Sequence, residues 1–180
     1  MKRLGMVARW KPVHLGHAAV LEALGNTADE VWIGLGSSNR YDVRNPFTAE
    51  ESAEMIRCVV GTDTAVRLIP VPDLGDGPRW RAMVAALFGP LDLFVTANDY
   101  VGELMAGTYR VVHPSRLIAP DRRLRLDATA VRRAMAQGEG WRGLVPPVVA
   151  DYLDARGLVQ RFRREFGLET LAQDAPPRVE

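Results

Sequence analysis

The sequence has one cysteine, Cys58, among 180 residues. No internal disulfide can form, and a lone cysteine fits a reducing compartment such as the cytoplasm. Charge of one sign is lacking as well. The 23 Lys and Arg nearly balance the 22 Asp and Glu, for a formal net charge of +1. That balance gives no reason to expect a nucleic-acid partner, and any basic site must be local. Long hydrophobic runs are missing too. The apolar stretch after Lys2 and Arg3 is short and is interrupted by Arg9 and Lys11. Neither a signal peptide nor a membrane span is expected. No internal repeat or linker is visible. Histidine is scarce, with three in the chain, yet His14 and His17 sit three apart across a glycine.

Hydrophobic residues make up 47% of the chain and charged residues 25%. These values suit one domain over residues 1–170, with 171–180 as a disordered tail. Short apolar runs at 4–8, 31–36, 66–71 and 91–97 read as buried strands, and 109–113 as a fifth. Helical spacing of apolar residues covers 15–24 and 80–88, and a short helix is expected near 99–106. The segment 48–60 is a helix opened by a capping box of Thr48 and Glu51. Three further helical patterns lie near 127–137, 146–155 and 158–167. This alternation predicts an α/β fold, a doubly wound parallel sheet with C-terminal helices. Ligands of such sheets lie outside the carboxyl ends of the strands. The loops at 9–17, 36–47, 72–80 and 97–99 should therefore converge, joined by the start of the 127–137 helix.

Three readings of residues 14–17, His-Leu-Gly-His, compete. The first is two polar residues where a loop enters a helix. The second is metal binding, but zinc pairs on a helix usually sit four apart and need a third ligand. The third is phosphate binding at a helix N-terminus, with Gly16 letting a phosphate approach the backbone. The first and third stay open on these residues alone. Arg9, Arg44 and Arg132 all fall in segments expected at the carboxyl ends of strands, which favours an anion.

An HxGH motif after the first strand and a late helix with a TxxR-type motif resemble the HxGH nucleotidyltransferase superfamily. The similarity is greatest to archaeal-type nicotinamide mononucleotide (NMN) adenylyltransferases, over roughly residues 4 to 165. It takes in Arg9, Gly36-Ser37-Ser38, the block at 44–49, Asp73, Trp80, Asn98, residues 129–133 and residues 141–146. The resemblance implies a Rossmann-like nucleotidyltransferase fold and attack of an acceptor phosphate on the α-phosphorus of a nucleoside triphosphate, with release of pyrophosphate. It implies His14, His17, Arg9, Arg44 and Arg132 as the catalytic set. Gly16, Gly36, Ser37, Asn98, Asp127, Thr129 and Arg133 would bind nucleotide. Mg²⁺ would bridge phosphates with few protein ligands, so no metal-ligating set is expected. Relatives of this fold commonly form homo-oligomers.

The sequence shows four departures from the family, the first spanning two positions. Lys11 and Val13 replace the usual glutamine and aromatic residue around Pro12. Asp127 replaces a serine, and reads as a simple N-cap. Gly77 stands three before Trp80, where the NMN enzymes carry an asparagine that reads the nicotinamide amide. Arg79 precedes Trp80 and could reach an anionic acceptor or simply be solvated. Lys11, Asp73, Gly77, Arg79 and Trp80 form the expected acceptor set. Two activities follow: ATP and NMN giving NAD, or the alternative of CTP with a small phosphonate or phosphorylated acid such as phosphonoformate. A catalytically silent nucleotide sensor is the third reading, against which the retained histidines and arginines argue. Trp10, Trp32 and Trp141 read as packing residues, and His113 as structural.

Overall fold

The computed structural model describes residues 1–61 and 65–173. Its strands follow the apolar runs: β1 (Arg3–Ala8), β2 (Glu30–Gly36), β3 (Val66–Val71), β4 (Leu93–Val95) and β5 (Val111–Val112). All pairings are parallel, in the order β3-β2-β1-β4-β5. Helices fill the connections: α1 (Leu15–Thr27), α2 (Ala49–Val60), α3 (Gly77–Phe88) and α4 (Asp99–Ala106). After β5 come α5 (Ala128–Gln137), α6 (Pro147–Ala155) and α7 (Leu158–Ala172). This is the expected doubly wound sheet with C-terminal helices.

Side chains alternate across the strands, as a pleated backbone requires. Leu4 and Met6 of β1, with Val31, Ile33 and Leu35 of β2, enter the larger core, with α1, α2 and α5 to α7. Val7, Trp32, Ile69, Val71, Phe94 and Val111 point the other way, where Val84 and Phe88 of α3 and Met105 of α4 cover them. Both faces of the central strands β1, β2 and β4 are therefore covered, which is why they read as mostly apolar runs, while edge strand β3 carries the exposed Arg67. The strand order reverses between β1 and β4. The loops leaving those two strands part there and open a crevice at their carboxyl ends.

The capping box forms as expected. Thr48 Oγ1 accepts from Glu51 N–H at 3.2 Å, and Glu51 Oε2 accepts from Thr48 N–H at 2.9 Å. Glu51 also takes both terminal nitrogens of Arg161 on α7, at 2.5 and 2.7 Å. Arg161 donates further to the Pro46 carbonyl at 3.1 Å. Tyr41 joins the same corner through a hydrogen bond to Glu165. The C-terminal helix thus braces the loop that carries Arg44.

One boundary needs correction. Residues 171–172 were expected in a disordered tail, yet α7 runs to Ala172. The Thr170 hydroxyl bonds back to the Phe166 carbonyl at 2.8 Å, and Phe166 packs on the core, so the last turns are held. The rest of the expected tail, 174–180, lies outside the described residues.

Gly34 sets how closely α3 meets the sheet. A Cβ there would lie 2.7 Å from Val7 Cγ2, 3.0 Å from Val71 Cγ2 and 3.1 Å from Phe88 Cζ. Gly34→Ala should cost about 1–3 kcal/mol by overpacking, read as a lower urea midpoint at unchanged m-value. An unchanged midpoint would mean that α3 can back away freely.

Candidate active site

The crevice is a cavity of about 1340 Å³. Arg9, Lys11, His14, Gly16 and His17 line it from the loop after β1 and the start of α1. Gly36, Ser37 and Arg40 come from the loop after β2, and residues 73–77 with Trp80 from the loop after β3 and α3. Thr96, Asn98 and Tyr100 come after β4, His113 and Ser115 after β5, and residues 123–129 with Arg132 from the approach to α5. The loops expected to converge do so.

Four helices begin at this cavity, each capped by a side chain that lines it. His14 Nδ1 accepts from His17 N–H at 3.3 Å, and Asp76 Oδ1 from Arg79 N–H at 2.9 Å. Asn98 Oδ1 accepts from Val101 N–H at 3.0 Å, and Asp127 Oδ1 from Ala130 N–H at 2.8 Å. Four positive dipole ends therefore face one space. Asp127 is the N-cap that the sequence suggested.

The two histidine rings stack, with centroids 3.8 Å apart, and Trp10 lies 4.6 Å from His17. With Nδ1 accepting a backbone N–H, neutral His14 carries its proton on Nε2. Burial lowers its pKa to about 4, against the opposing pull of Asp127 and with help from Arg132. Burial lowers His17 well below 6.5 too, and His14 adds to that, while a hydrogen bond with the Pro12 backbone opposes it. His17 Nδ1 is buried and has no partner.

Arg132 is 8% exposed. It donates to the Lys11 carbonyl at 3.0 Å and to Thr129 Oγ1 at 3.2 Å. Burial lowers its pKa to about 10, with Arg9 and Arg44 pressing the same way. Lys11 is 1% exposed and spends a proton on the Ser37 carbonyl at 2.9 Å. Burial lowers its pKa as well, partly opposed by Asp42 and Asp73. Lys11 thus holds the turn at Ser37, whose φ of 52° is left-handed. Lys11 lines the cavity as the acceptor set expects, but its amino group is turned to a backbone carbonyl.

Six basic side chains line the cavity, against the three carboxylates Asp73, Asp76 and Asp127. On a chain of net charge +1, this is a strongly local imbalance. Among the described residues no group of three or more His, Cys, Asp or Glu could hold a metal ion.

Some expectations need correction. Arg44, Arg79 and Arg133 are exposed and do not line the cavity. Arg44 sits in a turn fastened by Asp42, which accepts from the N–H groups of Arg44 and Asn45, both at 2.9 Å. Its charge nevertheless reaches Arg132. Arg79 lies beyond the cap that Asp76 makes, and Arg133 follows inward-facing Arg132 on α5. Gly16 has a packing reason of its own: a Cβ there would meet the His14 ring at 3.1 Å and the Leu126 carbonyl at 3.4 Å. Arg40, Tyr100, Arg123 and Arg125 were not anticipated. The three arginines sit in loops without regular spacing and Tyr100 in the first turn of α4, and only the fold brings them in. His113 lines the rim and bonds Ser115 Oγ at 2.7 Å, in keeping with a structural role.

The depressed His14 pKa gives a stability prediction. The folded state binds fewer protons than the unfolded state between pH 6.5 and about 4, so charging the ring opposes folding. Its stability contribution is complete above pH 6.5 and is lost as pH falls toward 4, at up to about 1.4 kcal/mol per pH unit. His14→Asn keeps a capping side chain. Thermal melts between pH 7 and 4 should show a shallower decline for this variant. Parallel curves would mean that His14 titrates normally in the folded chain.

Comparison with known proteins agrees with this geometry. The cytidylyltransferase-like family model matches residues 7–71, from β1 to β3. The nicotinamide-nucleotide adenylyltransferase of Methanoculleus marisnigri is 36% identical over 171 residues, covering 93% of this chain and 99% of that protein. The enzyme of the same name from Thermococcus onnurineus is 35% identical over 168 residues, covering 90% and 87%. Two crystal structures of a bifunctional NMN adenylyltransferase/ADP ribose pyrophosphatase from Francisella tularensis share the fold, with TM-scores of 0.68 and 0.72 at 18% and 17% identity. They cover 97% and 99% of this chain, which spans 56% and 58% of theirs. One of them was crystallised with AMP and a Mn ion. Similarity at this level over nearly the whole chain leaves one assignment: the protein belongs to the nicotinamide-nucleotide adenylyltransferase family of nucleotidyltransferases.

Proposed function

We propose that this chain transfers the adenylyl group of ATP to the phosphate of NMN, giving NAD and pyrophosphate. The carrying observation is the unbalanced charge of the cavity. Arg132, Lys11, His14 and His17 are each pushed toward losing a proton, chiefly by burial. A site with buried cationic groups in excess and four helix N-termini is stabilised by a polyanion. A triphosphate supplies one.

The acceptor phosphate oxygen attacks the α-phosphorus, and the bond from that phosphorus to the β-phosphate bridging oxygen breaks. Pyrophosphate carries the electron pair away. The attacking oxygen is already anionic, so no general base is required. Catalysis reduces to alignment and to stabilising charge as it develops. His14 would donate Nε2–H to a phosphate oxygen. His17, which lines the cavity beside it, would hold a second contact. Arg132 and Arg9 would neutralise the triphosphate, and Arg44 and Arg125 would add charge from the loops. Arginine suits the task because its planar fork meets phosphate bidentately and stays ionised. Thr129 and the N–H groups opening α5 would receive the leaving pyrophosphate.

A divalent cation fits as a passenger of the triphosphate. Asp73 and Asp76 come from the loop after β3 and Asp127 from the start of α5, and Asp76 and Asp127 each spend an oxygen on a helix cap. Mg²⁺ would lower the charge of the leaving pyrophosphate. The lone Cys58, exposed on α2, supports a reducing cytoplasmic setting.

ATP with NMN is preferred to CTP with a small phosphonate because the similar proteins that match along nearly the whole chain are nicotinamide-nucleotide adenylyltransferases. A pyrophosphate-release assay with Mg²⁺ tests the choice, crossing ATP and CTP with NMN and phosphonoformate. Release from ATP and NMN at ordinary enzyme rates is expected. Release confined to CTP and phosphonoformate would overturn the reading. His17→Ala should keep the fold and cut turnover by about 10²-fold or more, as for loss of a transition-state contact. Near wild-type turnover in that variant would remove His17 from the chemistry.

A further inference from the structure

The cavity has two unlike ends. One holds the stacked histidines, with Arg132 beside them and Arg9 near Arg132. The other, between α3 and α4, is walled by Leu74, Trp80, Val101 and Leu104. Phosphates belong at the first end, so the second faces the non-phosphate part of the acceptor. Apolar walls with a few polar groups are what orient a planar ring. The polar groups there are largely committed. Asp76 caps α3, and the Asp73 carboxylate faces Arg40 at 3.8 Å.

Tyr100 is different. It stands in the first turn of α4, is 63% exposed, and lines the cavity. Among the described residues its hydroxyl has no hydrogen-bond partner. That hydroxyl lies over Gly77, at the start of α3, so closely that a Cβ on residue 77 would overlap it. The ring carbon Cζ is 3.5 Å from the same point, an ordinary contact. Two facts are thereby linked. Residue 77 has no side chain, and the space a side chain would fill is held by a free phenol reaching in from another helix.

We propose that Tyr100 is a specificity-determining residue for the acceptor. Its hydroxyl hydrogen-bonds the polar substituent on the acceptor ring, and Gly77 is the glycine that leaves room for it. A hydroxyl can donate to a carbonyl oxygen or accept from an amide N–H, so a carboxamide-bearing ring is the chemistry it fits. A site that pairs with such a group discriminates against rings that lack it. This inference rests on the adenylyl transfer to NMN proposed above.

The test is a double-mutant cycle read in KM. Tyr100→Phe removes the hydroxyl and keeps the ring. Gly77→Ala leaves the helix start intact and pushes the hydroxyl aside. Each should raise the KM for NMN by about fivefold, the worth of one ordinary hydrogen bond, and leave the KM for ATP unchanged. The two together should be no worse than either alone, because a Phe ring does not overlap the added Cβ. Unchanged KM for NMN in Tyr100→Phe, equal rises for ATP and NMN, or multiplying effects would each overturn the proposal. Wild-type protein that does not turn over NMN would overturn the functional reading itself, and this inference with it. That outcome is seen before any variant is made.

Discussion

Positive charge held out of water without a matching anion is the constraint around which this protein is built. Arg132 and Lys11 are almost fully buried at the carboxyl end of the sheet, and His14 and His17 are stacked beside them. Removing cations from water is expensive unless a partner repays it. Here the protein offers mainly carbonyl and hydroxyl oxygens: Ser37 to Lys11, and Lys11 and Thr129 to Arg132. These fix the geometry of the groups without neutralising them. The fold carries the cost because apolar clusters cover both faces of the sheet and the corner around Glu51 and Arg161 is tied down. Stability built elsewhere keeps a polyanion site open.

Much of this was legible in the sequence, and for physical reasons. Strands covered on both faces must be mostly apolar, so residues 4–8, 31–36 and 66–71 announced themselves. Thr48 and Glu51 marked a helix start because a capping box is a local pattern. His14 and His17 were readable because a strand-to-helix junction is an anion site whatever the family. Side-chain direction was far less legible. Arg44, Arg79 and Arg133 have the right chemistry, but local backbone turns them outward. Lys11 reads as an acceptor-binding residue, yet its amino group is buried against the Ser37 carbonyl. Arg40, Arg123 and Arg125 enter from irregular loops that no periodicity describes. Tyr100 and Gly77 are 23 residues apart on different helices, so their contact exists only in the folded chain.

The position of Gly77 shows how a substitution can be misread when taken alone. By itself it reads as the loss of a contact with the acceptor. Beside Tyr100 it reads as the clearing of a space that another residue uses. A binding group can move from one helix to its neighbour while the cavity keeps its shape. The phosphate end permits no such exchange, because its groups are locked by backbone hydrogen bonds and helix caps. The two ends of one cavity therefore tolerate change differently, one through exposed, flexible side chains and the other hardly at all.

The most direct test is the titration of the His14 and His17 imidazoles by nitrogen-15 NMR, with and without ATP and Mg²⁺. The account predicts pKa values well below 6.5 for both rings in the free protein, with His14 at about 4. Both should rise when the triphosphate supplies the missing negative charge. Ordinary values near 6.5 in the free protein, or depressed values that ATP leaves unmoved, would contradict it.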